Sequence, residues 1–161
     1  MTVRGDSSFV QCPIAMRNIS QPRRESIHGS YMALSVGRNG PQAPWVLEGP
    51  MDGSAFSVWA LNVLAPTLES TDIVVMDNLS VHRNADACAA IKATGATVWY
   101  LPPYSHDLNP IEKMWSKIKT YLRKAKARDP KTLYDAVGQA MEQVTLQDVT
   151  NWFASCGYSL T

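Results

Sequence analysis

The 161-residue sequence predicts an α/β fold in which a mixed sheet is flanked by helices. A β-hairpin is expected where the strand-like segments 31–36 and 44–49 flank turn-forming residues at 37–41. The wholly apolar run Ile73–Met76 is typical of a strand buried on both faces of a sheet. A helix and a second strand at 97–101 follow it, and this order predicts a parallel crossover.

The helices are expected to begin at residues whose side chains can cap them, namely Asp52, Asn84, Asn109, Asp129 and Thr145. The first of these helices should end just before Pro66, and the second should end at Gly95. The third follows a proline-rich loop at 102–110 and carries apolar residues at successive turns, which are Ile111, Trp115, Ile118 and Leu122. That face should pack on the sheet.

Composition predicts one globular domain at 31–161 after an irregular segment at 1–30, where neither a strand period nor a helix period is sustained. Apolar residues make up 45% of the chain, but no apolar run approaches the roughly 18 residues of a membrane span. No stretch after Arg4 resembles a signal peptide, so we expect a cytoplasmic protein without a membrane partner. Three separated cysteines, Cys12, Cys88 and Cys156, predict buried thiols rather than a zinc site.

Asp77 is a candidate metal ligand because it ends the buried strand, and ligand sites of α/β sheets lie at the carboxyl ends of strands. A carboxylate there is costly to bury without a cation or a hydrogen-bonding partner. An aspartate that only caps the following loop is an equally good interpretation of this position.

Glu112 is the second candidate, in the first turn of the long helix, where the helix dipole favours an anion. A first-turn glutamate is also an ordinary helix stabiliser, so this position alone does not indicate chemistry.

The combination of the two acids, separated by 34 residues, resembles the second and third acids of DDE transposases. The resemblance is to the mariner superfamily, particularly the insertion sequence 630 group, and rests on IVVMDNLSVH at 73–82 and LPPYSHDLNPIEKMWSKIK at 101–119. It extends from about Tyr31 to Tyr158, with one local departure at His106, where the family usually has proline. It implies an RNase H-like fold in a bacterial, nucleoid-associated protein.

The resemblance implies DNA cleavage and strand transfer at transposon ends and target DNA. In the family, three carboxylates hold two divalent metals about 4 Å apart, with Mg²⁺ expected and Mn²⁺ as the alternative. Asp77 and Glu112 would be two of the three catalytic and metal-binding acids.

DNA contacts are expected along the long helix, because seven Lys or Arg and no acid lie between Lys113 and position 128. A solvated helix face is the alternative explanation. The resemblance favours DNA, because Lys119 and Arg123 share a face with Glu112 and lead away from the metal site. Asn78 and His82 are further candidates, either to orient the site or to contact the scissile phosphate.

The first acid of the family is the missing element, because no matching strand that carries an Asp precedes the hairpin. Asp6 and Glu25 are the only acids there. Asp6 precedes a possible short strand at 8–12, but neither acid lies in a segment that resembles the family motif. The resemblance therefore implies an RNase H-like sheet that lacks or replaces its first strand. We expect a truncated or frameshifted transposase fragment that does not transpose by itself.

Two classes of function remain open. The first is an enzyme fragment, inactive alone or completed by a partner that supplies the missing strand. The second is a non-catalytic remnant that binds DNA or dimerises, with itself or with a full-length transposase. A nuclease of the same fold meets the same objection of the missing acid.

Overall fold

The computed structural model describes residues 9–11, 17–18, 30–49, 51–127 and 129–159. The six strands of the described part are β1 (Phe9–Gln11), β2 (Arg17–Asn18), β3 (Ser30–Gly37), β4 (Gly40–Glu48), β5 (Ile73–Met76) and β6 (Thr97–Tyr100). Its five α-helices are α1 (Gly53–Trp59), α2 (Ala85–Ala93), α3 (Pro110–Ala125), α4 (Pro130–Glu142) and α5 (Leu146–Ser155). Among the described residues, every helix falls short of the length and hydrophobicity that a membrane span requires.

The strands form one mixed sheet. The predicted hairpin is the antiparallel pair β3–β4, and the predicted crossover is the parallel pair β5–β6 with α2 between them. Strand β1 lies between the hairpin and β5, antiparallel to β3 and parallel to β5. Strand β2 pairs with β3 further along, at Tyr31 and Met32. The predicted irregular segment at 1–30 therefore contains two short strands.

The alternation of side chains along β3 and β5 assigns each residue to one of two apolar layers. Met32, Leu34, Ile73 and Val75 pack against α3, α4 and α5, together with Trp115. On the other face, Ala33, Val74 and Met76 pack against α1 and α2, together with Trp59. The long helix α3 buries Ile111, Trp115 and Ile118 as predicted. The sheet is therefore covered on both faces, which explains why β5 is apolar throughout.

Four of the five predicted caps are confirmed. Asp52 accepts hydrogen bonds from the backbone N–H groups of Ser54 and Ala55, and Asn84 accepts one from Ala87. Asp129 and Thr145 form capping boxes at the starts of α4 and α5. These local bonds satisfy N–H groups that lack partners within the helix.

The helix end predicted before Pro66 is wrong. Helix α1 continues through a π-helical turn at Ala60–Leu64 and a 3-10 turn at Ala65–Thr67, so Pro66 lies inside the last turn. Proline is tolerated at the start of such a turn because its missing N–H would have no partner there.

Gly95 ends α2 as predicted, at a φ of 90°. A Cβ at this position would lie 2.7 Å from Cβ of Ser70, so both the backbone conformation and the close approach require glycine.

The prediction of buried thiols holds for Cys156 and is wrong for Cys88. Cys156 is buried, whereas Cys88 is half-buried, with its Sγ 2.9 Å from the hydroxyl of Tyr100. Cys12 lies outside the described residues.

Candidate active site

Asp77 directly follows β5. Side chains alternate between the two faces of the sheet along this strand, and the same alternation directs Asp77 to the face that α3 covers. Its Oδ1 accepts a hydrogen bond of 3.2 Å from the backbone N–H of Leu79 and contacts Nδ1 of His82. Asp77 therefore caps the following loop, as one of the two interpretations predicted. Its carboxylate lies at a strand end, and its role as a metal ligand stays a prediction.

His82 is fully buried and lies in a 3-10 turn at Ser80–Arg83. Its ring packs against Phe56 of α1, with 5.4 Å between the ring centroids. A buried imidazole in contact with Asp77 is not available to a phosphate in this arrangement. Of the two roles predicted for His82, the orienting one matches its position.

The environment of Asp77 lowers the pKa of its carboxyl group. Partial burial acts in the opposite direction, because it penalises the charged form. The contact with His82, the N–H of Leu79 and the more distant His106 together outweigh that effect. Asp77 is therefore held as a carboxylate, which is the form that binds a cation.

A second support for the His82 turn comes from β6. The hydroxyl of Tyr100 donates a 3.1 Å hydrogen bond to the backbone carbonyl of His82. Burial and the contact with Cys88 raise the pKa of Tyr100 to about 12, so it remains a donor at neutral pH. The loop that follows Asp77 is thereby fixed to the neighbouring parallel strand.

Asn78 is engaged by Arg83, a residue to which the sequence patterns assigned no role. Both Nε and Nη2 of Arg83 donate to Oδ1 of Asn78, the first at 2.7 Å, and the guanidinium lies 5.8 Å from the centroid of the Tyr100 ring. An orienting role for Asn78 stays a prediction. Only the tertiary fold brings Arg83 over Tyr100, so local sequence gave no signal for it.

A cavity of about 340 Å³ opens beside Asp77 and Asn78. Its other wall is the proline-rich loop before α3, which contributes Tyr104, His106 and Asn109. The loop predicted to deliver the second acid therefore faces the first acid across an open space.

Glu112 lies in the first turn of α3 and is half-buried. Its backbone N–H donates to the carbonyl of Asn109, which lines the cavity, but Glu112 itself is not among the described residues that line it. Helix α3 therefore begins beside the cavity that Asp77 borders, and the joint role of the two acids stays a prediction.

The predicted side-chain cap at Asn109 is wrong. Asn109 occupies the N-cap position of α3, yet its side chain makes no capping hydrogen bond. Asn109 is 1% exposed, and its Oδ1 has no hydrogen-bond partner among the described residues.

The basic run on α3 divides between two faces. Lys113 donates to the hydroxyl of Ser155, and Lys117 donates to Asp148 at 2.5 Å, so these two lysines connect α3 to α5. Arg123 is exposed, and Lys119 is half-buried. Helical spacing places both on the side of Glu112, as predicted.

The donor set in the described part does not fit the three-carboxylate metal site of the family. Among those residues, no group of three His, Cys, Asp or Glu side chains could hold a metal ion. The strand beside β5, β1, consists of Phe, Val and Gln. Asp6 and Glu25 lie outside the described residues.

Comparisons with known proteins agree with this architecture. The catalytic domain of the Mos1 mariner transposase superimposes with a TM-score of 0.68, at 11% identity, over 95% of this chain and 84% of that one. The Mos1 strand transfer complex gives a TM-score of 0.65 at 12% identity, over 95% of this chain and 56% of that one. A Mos1 catalytic domain with raltegravir and Mg gives 0.66 at 12% identity, over 95% and 85%.

At such low identity these structures establish the fold, which is RNase H-like, as predicted. The search of curated proteins found no match. The family model described as DDE superfamily endonuclease matches residues 16–134, well over half of the chain. The chain therefore belongs to the DDE superfamily endonuclease family.

Proposed function

We propose that this chain is a transposase-derived domain for DNA strand cleavage and strand transfer, and that it is inactive by itself. Asp77 and Glu112 are two of the three acids that the catalytic site of the family requires. The family match and the likeness to a transposase catalytic domain support the reaction class. The long motif at 101–119 supports membership of the insertion sequence 630 group.

The observation that carries the proposal is the position of β1. It pairs between β3 and β5, with Val10 opposite Val74 and Gln11 opposite Val75. This is the place in which the family carries its first acid, next to the strand that ends at Asp77. The strand present here supports the sheet through backbone hydrogen bonds but contains no carboxylate.

The expected strength of metal binding depends on the same shortage, because two carboxylates are present where the family site has three. Two of the similar Mos1 structures are described as containing Mn or Mg. Hard carboxylate oxygens suit both ions. We propose that Asp77 and Glu112 bind Mg²⁺ or Mn²⁺ tightly only when a third acid is supplied by another chain.

Titration of the purified chain with Mn²⁺, followed by electron paramagnetic resonance of the free ion, tests this proposal. The expected result is weak binding that differs little between the parent chain and the double variant Asp77→Ala/Glu112→Ala. Tight binding of two ions that the double variant abolishes would contradict it, because the chain would then hold a complete site.

A non-catalytic DNA-binding role is the second candidate, and the position of Lys119 and Arg123 on the side of Glu112 favours it. Similar Mos1 structures include a strand transfer complex. A remnant that only binds DNA, or pairs with a full-length transposase, would bind DNA equally well after Asp77→Ala. Fluorescence anisotropy with a labelled duplex separates the two roles when a partner chain that supplies the third acid is added, because only a completed catalytic site would make binding depend on Asp77 and on metal.

A further inference from the structure

Strand β6 leaves one edge of the sheet open in the described part of the chain. The N–H groups of Thr97 and Leu101 donate to carbonyls of the β5 segment, at 2.9 Å and 2.7 Å. Along a strand, every second residue directs its N–H and C=O groups to the same side. The backbone groups of Val98 and Tyr100 therefore point away from β5, and β5 is the only described strand that pairs with β6.

The donors available on this open edge lie symmetrically about Trp99. At one end, the N–H of Ala96 already donates to a side-chain hydroxyl at 3.3 Å, and at the other end Pro102 has no N–H. The two donors that remain are those of Val98 and Tyr100, which have no acceptor among the described residues. Because each of these residues also directs its C=O outward, an identical antiparallel strand satisfies both.

The two outer strands of the sheet differ in their protection against pairing with another molecule. Strand β4, at the far side, contains Pro41 and Pro44 and ends at Glu48. Prolines and charged residues are common devices that prevent such pairing. Strand β6 has the sequence TVWY, and no charged residue lies at 96–102. An identical strand can therefore pair with it without placing like charges opposite each other.

We infer that β6 is a self-association edge, at which a second copy of this chain pairs antiparallel and extends the sheet across a twofold axis at Trp99. In this register, Val98 lies opposite the partner's Tyr100, and each such pair exchanges two backbone hydrogen bonds. Trp99 lies opposite the partner's Trp99, in a pair without hydrogen bonds whose side chains approach closely. The inference does not depend on the proposed reaction, because this pairing requires neither metal nor DNA.

Amide hydrogen exchange of the parent chain, resolved by residue and measured at low and high protein concentration, tests the inference. An interface of one short strand is weak, so pairing should become substantial only at about 1 mM. Exchange at the N–H groups of Val98 and Tyr100 should then slow about tenfold. The N–H of Trp99 faces β5 and should change less. Unchanged exchange at both positions, with a monomer in sedimentation at the higher concentration, would overturn the inference.

Two substitutions at Val98 separate the backbone contribution from the side-chain contribution. Val98→Pro removes the outward N–H without removing a hydrogen bond to β5, whereas Val98→Ala shortens the half-buried side chain and keeps the N–H. Sedimentation should show that Val98→Pro loses self-association and that Val98→Ala retains it. Self-association of Val98→Pro equal to that of the parent chain would contradict the inference, as would equal loss in both variants.

Cysteine cross-linking tests the register. The twofold axis places the introduced thiols of Trp99→Cys on opposite Cα atoms about 4.5 Å apart, within the range of a disulfide. Thr97→Cys is the matched control, because it lies on the same face but its Cα atoms would be about 14 Å apart. After oxidation in air, only Trp99→Cys should form a covalent dimer above the background of the parent chain, which has three cysteines.

Equal cross-linking by the two cysteine variants would contradict the register. If Val98→Pro or Trp99→Cys fails to fold, the exchange measurement on the parent chain still decides whether the edge pairs.

Discussion

Nδ1 of the fully buried His82 contacts Oδ1 of Asp77 at the carboxyl end of β5. His82 also packs on Phe56 in the apolar layer beneath the sheet face that α1 covers. The contact therefore connects this layer to the Asp77 carboxylate, which borders an open cavity. An acid held in this way has a fixed orientation before any substrate arrives, which is what phosphoryl transfer at DNA requires.

Asp77→Asn should lower the free energy of unfolding at pH 7 by about 1 kcal/mol, because the amide cannot replace the interactions that favour the carboxylate. The pKa of Asp77 is lowered in the folded state. Its contribution is therefore present above the ordinary aspartate pKa of about 3.9 and is lost as the pH falls below it. Urea unfolding at pH 7 and pH 3 should show the difference shrinking at acid pH. The exposed Asp135→Asn variant is the control, and equal destabilisation by both variants would contradict the explanation.

Asp148→Asn should destabilise the chain by about 1 kcal/mol at neutral pH, because Oδ2 of Asp148 accepts from Lys117 and from the backbone and side chain of Thr145. The hydrogen bond from Lys117 and the capping bonds lower the pKa of Asp148 to about 2. Stability should therefore be lost as the pH falls from about 4 to about 2.

Lys117→Met should cost less than the loss of Asp148, because Lys117 is 37% exposed and water screens the pair. Thermal unfolding of the two variants across this pH range checks both expectations. A larger loss for Lys117→Met would mean that the ion pair, and not the cap, fixes the start of α5.

Tyr104→Gly should raise the free energy of unfolding by up to about 1 kcal/mol, because glycine removes the left-handed strain and an exposed ring leaves no cavity. Lys126→Gly, at the left-handed end of α3, should stabilise similarly. Destabilisation by Tyr104→Gly in urea unfolding would mean that the ring has a structural role.

Lys119→Gln and Arg123→Gln should weaken DNA binding and reduce the slope of log affinity against log salt by about 0.9 for each phosphate that the variant no longer binds. Lys131→Gln, on the first turn of α4, is the control with the same change of charge. If the control lowers the slope equally, the effect reflects net charge and not the α3 face.

Local signals made most of the elements predictable. The apolar run of β5 and the turn between β3 and β4 depend on residues close together in sequence. The caps at Asp52, Asn84 and Thr145 do too, because each accepts from N–H groups two or three residues away.

The features that could not be predicted depend on distant partners. Strand β2 is two residues long and forms only by pairing with β3, whereas β1 lies within the possible short strand predicted at 8–12. The burial of His82 depends on Phe56, which lies in another helix, and Tyr104 is not a residue type that indicates a left-handed backbone. The cavity itself could therefore not be predicted, although the two recognised motifs, at 73–82 and 101–119, contain all of its described lining residues.

Cleavage and strand transfer by the purified chain, on DNA with the ends of its element and in Mg²⁺ or Mn²⁺, test most directly whether the chain is inactive by itself. We expect a folded chain that binds DNA and yields no product, like the control Asp77→Ala/Glu112→Ala. Metal-dependent product that this control abolishes would contradict it, and would show that a third acid exists in the chain, with Asp6 and Glu25 the residues to substitute next.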